Sequence, residues 1–88
     1  MSKGTIFQFR LYVAGDAPNS NQAIANLRLF CKKHLKGRHK IEEVDVMHEP
    51  ARALAEGVFL TPMLVRIKPC PLRRIVGNLS DPKPLLQL

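Results

Sequence analysis

The segment FQFRLYV, followed within a few residues by a long run of helical spacing, restricts the architecture more than any other feature of this chain. Phe7, Phe9, Leu11 and Val13 fall on one face of an extended chain, with Gln8 and Arg10 on the other. That alternation predicts a strand over residues 5–13. The stretch AGDAPN then places Gly15 and Pro18 in a turn. Helix signals begin at once. Asn19 or Ser20 is a candidate cap, and Gln22 stands where it could reach back to Asn19. Ile24, Leu27, Cys31 and Leu35 recur at helical spacing, and Ala23 and Phe30 widen the stripe. Lys32, Lys33, His34 and Lys36 crowd the last turn, where positive charge complements the helix dipole, and Gly37 is a natural stop. A second strand is predicted over residues 40–47. A strand, a helix and a strand in this order imply parallel neighbours joined by a right-handed crossover.

The rest of the chain is punctuated by proline and glycine. EPARALAEG reads as a short helix opened by Pro50 and stopped by Gly57. MLVRI and LRRIV read as strands flanking the compact connection KPCP, hence an antiparallel hairpin. Ser80 or Asp81 can cap a last helix with Pro82 in its first turn. The order βαβαββα predicts an α/β fold of the thioredoxin-like class. At 88 residues, it is a single domain over residues 1–88.

Thioredoxin-like order invites a test of thiol chemistry. A redox member of that class needs an attacking thiolate and a resolving thiol in the loop after the first strand. Here that loop holds no cysteine. Cys31 lies on the apolar stripe and reads as core, whereas Cys70 sits between two prolines as an incidental thiol. His34, His39 and His48 match no zinc spacing, so no metal is expected. No Walker-type loop is present, Asp16 is an ordinary turn residue, and no nucleophile–base pair is visible. The chain is read as a non-enzyme without a cofactor.

Fourteen Lys and Arg against seven Asp and Glu give a net charge of +7, which favours an anionic partner. Nucleic acid is disfavoured, because the aromatics that would stack on bases are not interleaved with the basic residues. No run approaches the ~18 apolar residues of a membrane span. Two cysteines without a secretion signal point to a reducing cytosol.

Two groups of residues remain unexplained by folding alone. Arg66 interrupts one apolar strand, while Arg73 and Arg74 begin the next and must point to opposite faces. Arginine favours bidentate pairing with carboxylate or phosphate, so an interface is indicated. Pro62, Pro69 and Pro71 divide the most strand-like region, and each removes a ladder donor. Thr61–Pro62 stands just before a strand, where thioredoxin-like proteins place a cis-proline.

FRLYVAGDAPNSNQA, IEEVDV, LTPML and LRRIVGNLSD together resemble the KaiB family of circadian-clock proteins, from Phe9 to Asp81. The resemblance implies a non-enzymatic adaptor that binds the ring-shaped ATPase KaiC, with KaiA and a KaiB-like sensor kinase as further partners. It also implies a metamorphic chain. A ground state of order βαββααβ, dimeric or tetrameric, would exchange with the thioredoxin-like monomer by rearranging the carboxyl-terminal half. On this reading Arg10, Arg66, Arg73 and Arg74 form the basic interaction surface, and Pro62, Pro69 and Pro71 are hinges between two closely balanced packings. Glu42 and Gly57 stand where cyanobacterial members tend to carry lysine. The sequence also ends at Leu88, short of the family's usual last segment. Two other readings stay open: a redox or stress-response thioredoxin-like protein, and a KaiB-like sensor domain of a kinase.

Overall fold

The alternating segment forms strand β1 (Phe7–Val13), and it is buried on both faces. The computed structural model describes residues 5–88, so the first four residues of the expected 1–88 unit lie outside it. Phe7, Phe9, Leu11 and Val13 enter one core cluster while Tyr12, 1% exposed, enters a second on the opposite face. That placement follows from the interior position of β1 in a four-stranded sheet of order β2 (His39–Asp45), β1, β3 (Met63–Lys68), β4 (Arg73–Val76).

Strand β2 (His39–Asp45) pairs parallel with β1, Phe9 opposite Ile41. Strands β3 (Met63–Lys68) and β4 (Arg73–Val76) follow as an antiparallel hairpin, Leu64 opposite Ile75, and β3 runs antiparallel to β1. The expected order βαβαββα is the observed one, a mixed α/β fold. Strand β2 ends two residues earlier than its sequence suggests. Asp45 Oδ1 accepts Met47 N at 2.9 Å and Gly15 N at 3.1 Å, which turns the chain away and fastens it to the loop after β1.

Helix α1 (Pro18–His34) starts earlier than the Asn19 or Ser20 cap predicts. Its cap is Ala17, and Pro18 supplies a preset φ in the first turn. Ser20 is buried instead, its Oγ accepting Ala14 N at 3.1 Å. The hydroxyl that looked like a cap therefore fastens the helix to the end of β1. Ala23, Leu27, Cys31 and Leu35 carry the buried stripe against Phe9, Leu11 and Leu64. Each fully buried large side chain contributes roughly 1.5–3 kcal/mol of transfer free energy. Gly37 takes φ +73 two positions past the Leu35 cap, where a side chain would be strained.

Helix α2 (Pro50–Ala55) covers the other face of the sheet, packing Ala53 with Tyr12, Val44, Val58 and Val65. Gly57, at φ +72, ends it as predicted. Helix α3 (Pro82–Leu86) returns to the α1 face, placing Leu85 in the first cluster. Its cap is Asp81, whose Oδ1 accepts Lys83 N at 3.0 Å.

Candidate docking surface

The four arginines singled out by sequence do not form one surface. Arg10 leaves β1 on the α2 side and enters a closed ring of ion pairs. Its Nε donates to Glu42 at 2.8 Å and its Nη1 to Glu56 at 3.1 Å. Arg52 on α2 completes the ring, 3.1 Å from Glu42 and 3.1 Å from Glu56, and also reaches Glu49 at 3.5 Å. The hydrogen bond from Arg10 is the chief reason that the Glu42 carboxyl lies below the usual carboxylate range; the reciprocal bond raises Arg10. Neither Arg52 nor Glu56 was singled out beforehand. Their i,i+4 spacing on a predicted helix was the available signal.

Arg74 projects to the same side. Its Nη2 donates to Glu56 O at 3.1 Å, and Nη1 lies 3.5 Å from Gly57 O, so the cation sits over the open carbonyls that end α2. Between Arg10 and Arg74 runs a shallow groove of about 380 Å³, floored by Tyr12 and Val65 and bordered by Leu72. Arg73 points to the opposite face, as the alternation of the strand requires, and is exposed beside Ile75, Pro84 and Gln87.

Arg66 departs from the expected basic surface. It is 6% exposed, lying across the ladder from Arg73 and beside Phe9. Its guanidinium donates to Leu88 O and, at 2.7 Å, to Pro71 O, while Nε has no partner among the described residues. In this conformation Arg66 is an internal tie joining β3, the β3–β4 turn and the segment after α3. The physical reason is the strand period. Arg66 shares a face with Leu64, which is wholly buried.

The prolines frame the hairpin. Pro62 is buried before β3, and its carbonyl accepts Gly77 N at 2.9 Å. Pro69 and Pro71 occupy the β3–β4 turn, and the peptides before all three are cis. Both thiols are free. Cys31 is wholly buried, and desolvation pushes its thiol up to about 11; Cys70 is exposed in the turn. No helix among the described residues is long and apolar enough to cross a membrane.

Comparison with known proteins then decides the family. The KaiB domain family matches residues 10–88. The chain belongs to the KaiB family. The circadian clock protein KaiB3 of Synechocystis sp. is 39% identical over 77 residues, covering 88% of this chain and 76% of that protein. A circadian clock oscillator protein KaiB of Prochlorococcus marinus is 40% identical over 81 residues, covering 92% and 68%. Among solved structures, the solution structure of the N-terminal domain of Synechococcus elongatus SasA superposes with a TM-score of 0.75. It is 19% identical, over 100% of this chain and 90% of that one. Mitochondrial thioredoxin 3 of Saccharomyces cerevisiae, in its oxidized form, gives 0.73 at 19% identity over 97% and 77%. This KaiB-family chain therefore has a thioredoxin-like fold.

Proposed function

We propose that this chain is a cytoplasmic, non-enzymatic adaptor that docks on a KaiC-type ATPase in a circadian clock or a related timing or stress system. One observation carries the reading: membership of a clock-protein family is combined with a thioredoxin-like fold whose post-β1 loop, residues 14–17, holds no thiol. Such a fold retains a shaped binding end without the chemistry that its redox relatives perform there. The redox reading is disfavoured by the same loop, and by the burial of Cys31. In this proposal Arg73, exposed and without a carboxylate within ion-pair distance among the described residues, pairs with acidic groups of the ATPase. Arg10 and Arg74 border the groove on the α2 face, across the sheet from Arg73. KaiA and a KaiB-like sensor kinase are the further partners of this reading.

The docking form is the thioredoxin-like topology, in exchange with a homo-oligomeric ground state of order βαββααβ. Pro62, Pro69 and Pro71 act as hinges, because they bound β3 on both sides and none can donate to a ladder that would extend it. The Arg66 contacts to Pro71 and Leu88 are the ones that such an exchange must break.

Sedimentation velocity of the chain mixed with a KaiC-type ATPase and ATP tests the proposal. The chain should co-sediment with the ATPase, and Arg73→Glu with Arg74→Glu should weaken that association about tenfold or more. Failure to co-sediment at any nucleotide state rejects it.

A further inference from the structure

Six cations without carboxylate partners among the described residues gather at one pole of this molecule. The last turn of α1, the turn into β2, the first residues of β2 and the end of β3 meet where β1 begins, since Gln8 lies opposite both Lys40 and Lys68. Lys32, Lys33, Lys36, Lys40 and Lys68 are all exposed there, with Arg38 half-buried among them. None of these cations has a carboxylate within ion-pair distance among the described residues. The acids lie elsewhere. Asp16, Asp45 and Glu49 stand toward the opposite pole, at the start of α1, the end of β2 and the start of α2, while Asp81 caps α3 and accepts Lys83 N. Glu42, Glu43 and Glu56 are engaged by Arg10, Arg28 and Arg52. Not one Asp or Glu falls between Asp16 and Glu42.

An apolar cleft of about 250 Å³ opens at the same pole, between the end of α1 and the end of α3. Phe7, Phe9, Phe30, Leu35, Leu85 and Leu88 line it, with His34 at its edge. Beside it, Leu86 is 59% exposed and Ile6 is 49% exposed. A concave apolar slot and a surround of uncompensated cations thus belong to one surface. This surface is separate from the groove between Arg10 and Arg74, which lies on the α2 face.

We propose that this pole binds an acidic, extended segment of a partner protein: an apolar side chain enters the cleft, and flanking carboxylates pair with the lysines. Charge complementarity selects the sign of the occupant. Four further features set its class. The cleft is smaller than the roughly 300–1,000 Å³ of small-molecule pockets, which suits a side chain rather than a cofactor. The lysines are spread over α1, the turn after it, β2 and β3, and they are flexible point charges rather than forked phosphate receptors. A planar lipid surface would leave the slot unfilled. Nucleic acid would need aromatic faces outside, whereas Phe7 and Phe9 are buried.

A direct test uses a short fluorescein-labelled oligoglutamate peptide with a central Leu-Phe pair, read by anisotropy against the intact chain. A matched peptide with Ser-Gly at the centre and vesicles of phosphatidylglycerol and phosphatidylcholine serve as competitors. The Leu-Phe peptide should bind, more weakly as salt rises. Lys33→Glu with Lys36→Glu should weaken it about tenfold or more, and so should Leu86→Glu. Arg74→Glu should leave it unchanged. Amide NMR spectra of each variant confirm that the fold persists. Equal affinity for the two peptides, preference for vesicles over peptide, self-association through this pole, or no binding at millimolar peptide would each overturn the proposal.

Discussion

Cys31 and Cys70 have the same chemistry and opposite surroundings. Cys31 is desolvated within the α1 stripe and its thiol is held at about 11, so almost no thiolate forms near neutral pH. Cys70 is exposed in the β3–β4 turn. Maleimide labelling followed by mass spectrometry should therefore give a single adduct at Cys70 in the native chain, and a second at Cys31 only in denaturant. Leu64 has no exposed surface and touches both sheet and helix layers, so Leu64→Ala should cost about 2–5 kcal/mol, seen as a lower urea midpoint with unchanged slope. The carboxyls of Glu42 and Asp45 are both lowered, Glu42 chiefly by Arg10 and Asp45 chiefly by the Met47 amide. A lowered folded-state value contributes stability that is complete above the ordinary carboxylate range, near pH ~4, and is lost as pH falls through the lowered value. Thermal melting should thus be flat near neutrality and fall in acid, and Glu42→Gln should make the acid decline shallower. Because Glu42 is nearly half-exposed, that substitution should cost no more than about 1 kcal/mol at pH 7. Core side chains were readable from spacing. The burial of Arg66 was readable too, since period two places it beside Leu64, but an arginine in a short hairpin reads more naturally as surface.

The helices were legible because nearly every helix boundary is marked by a residue with one conformational use: Pro18, Gly37, Pro50, Gly57 and Pro82. Two of the boundaries that moved are set by tertiary contacts. Ser20 is drawn inward by the Ala14 amide, and Asp45 ends β2 by holding Gly15, thirty residues away in sequence. Neither partner is visible to a local pattern. The four-membered ring of Arg10, Glu42, Arg52 and Glu56 was hidden for the same reason, since it joins β1, β2 and α2. At the hairpin, Arg66 fastens the turn and the end of α3 through two charged hydrogen bonds, each worth roughly 1.5–3 kcal/mol. Arg66→Met should keep the apolar stem and lose both ties. Hydrogen exchange should then accelerate in β4 and α3 while α1 amides keep their protection. Uniform acceleration throughout would show that Arg66 supports the whole core instead.

Across the full chain, charge and topology divide the molecule into regions with different tasks. The α2 face is nearly charge-balanced, because the carboxylates of Glu42, Glu49 and Glu56 offset Arg10, Arg52 and Arg74. The pole at the end of α1 carries most of the net charge of +7. Composition revealed the excess but not its location, which depends on the sheet bringing Lys40 and Lys68 together across β1. The proposed exchange of topology would leave β1, α1 and β2 in place and rearrange everything after them. NMR of the labelled chain, alone and bound to a KaiC-type ATPase with ATP, reads this directly through cross-strand contacts between Phe9 and Arg66 and between Leu64 and Ile75. Both contacts should be present in the bound state, with Arg73 and Arg74 amides among the most shifted. Binding that erases these contacts, or a spectrum untouched by the ATPase, would contradict this proposal.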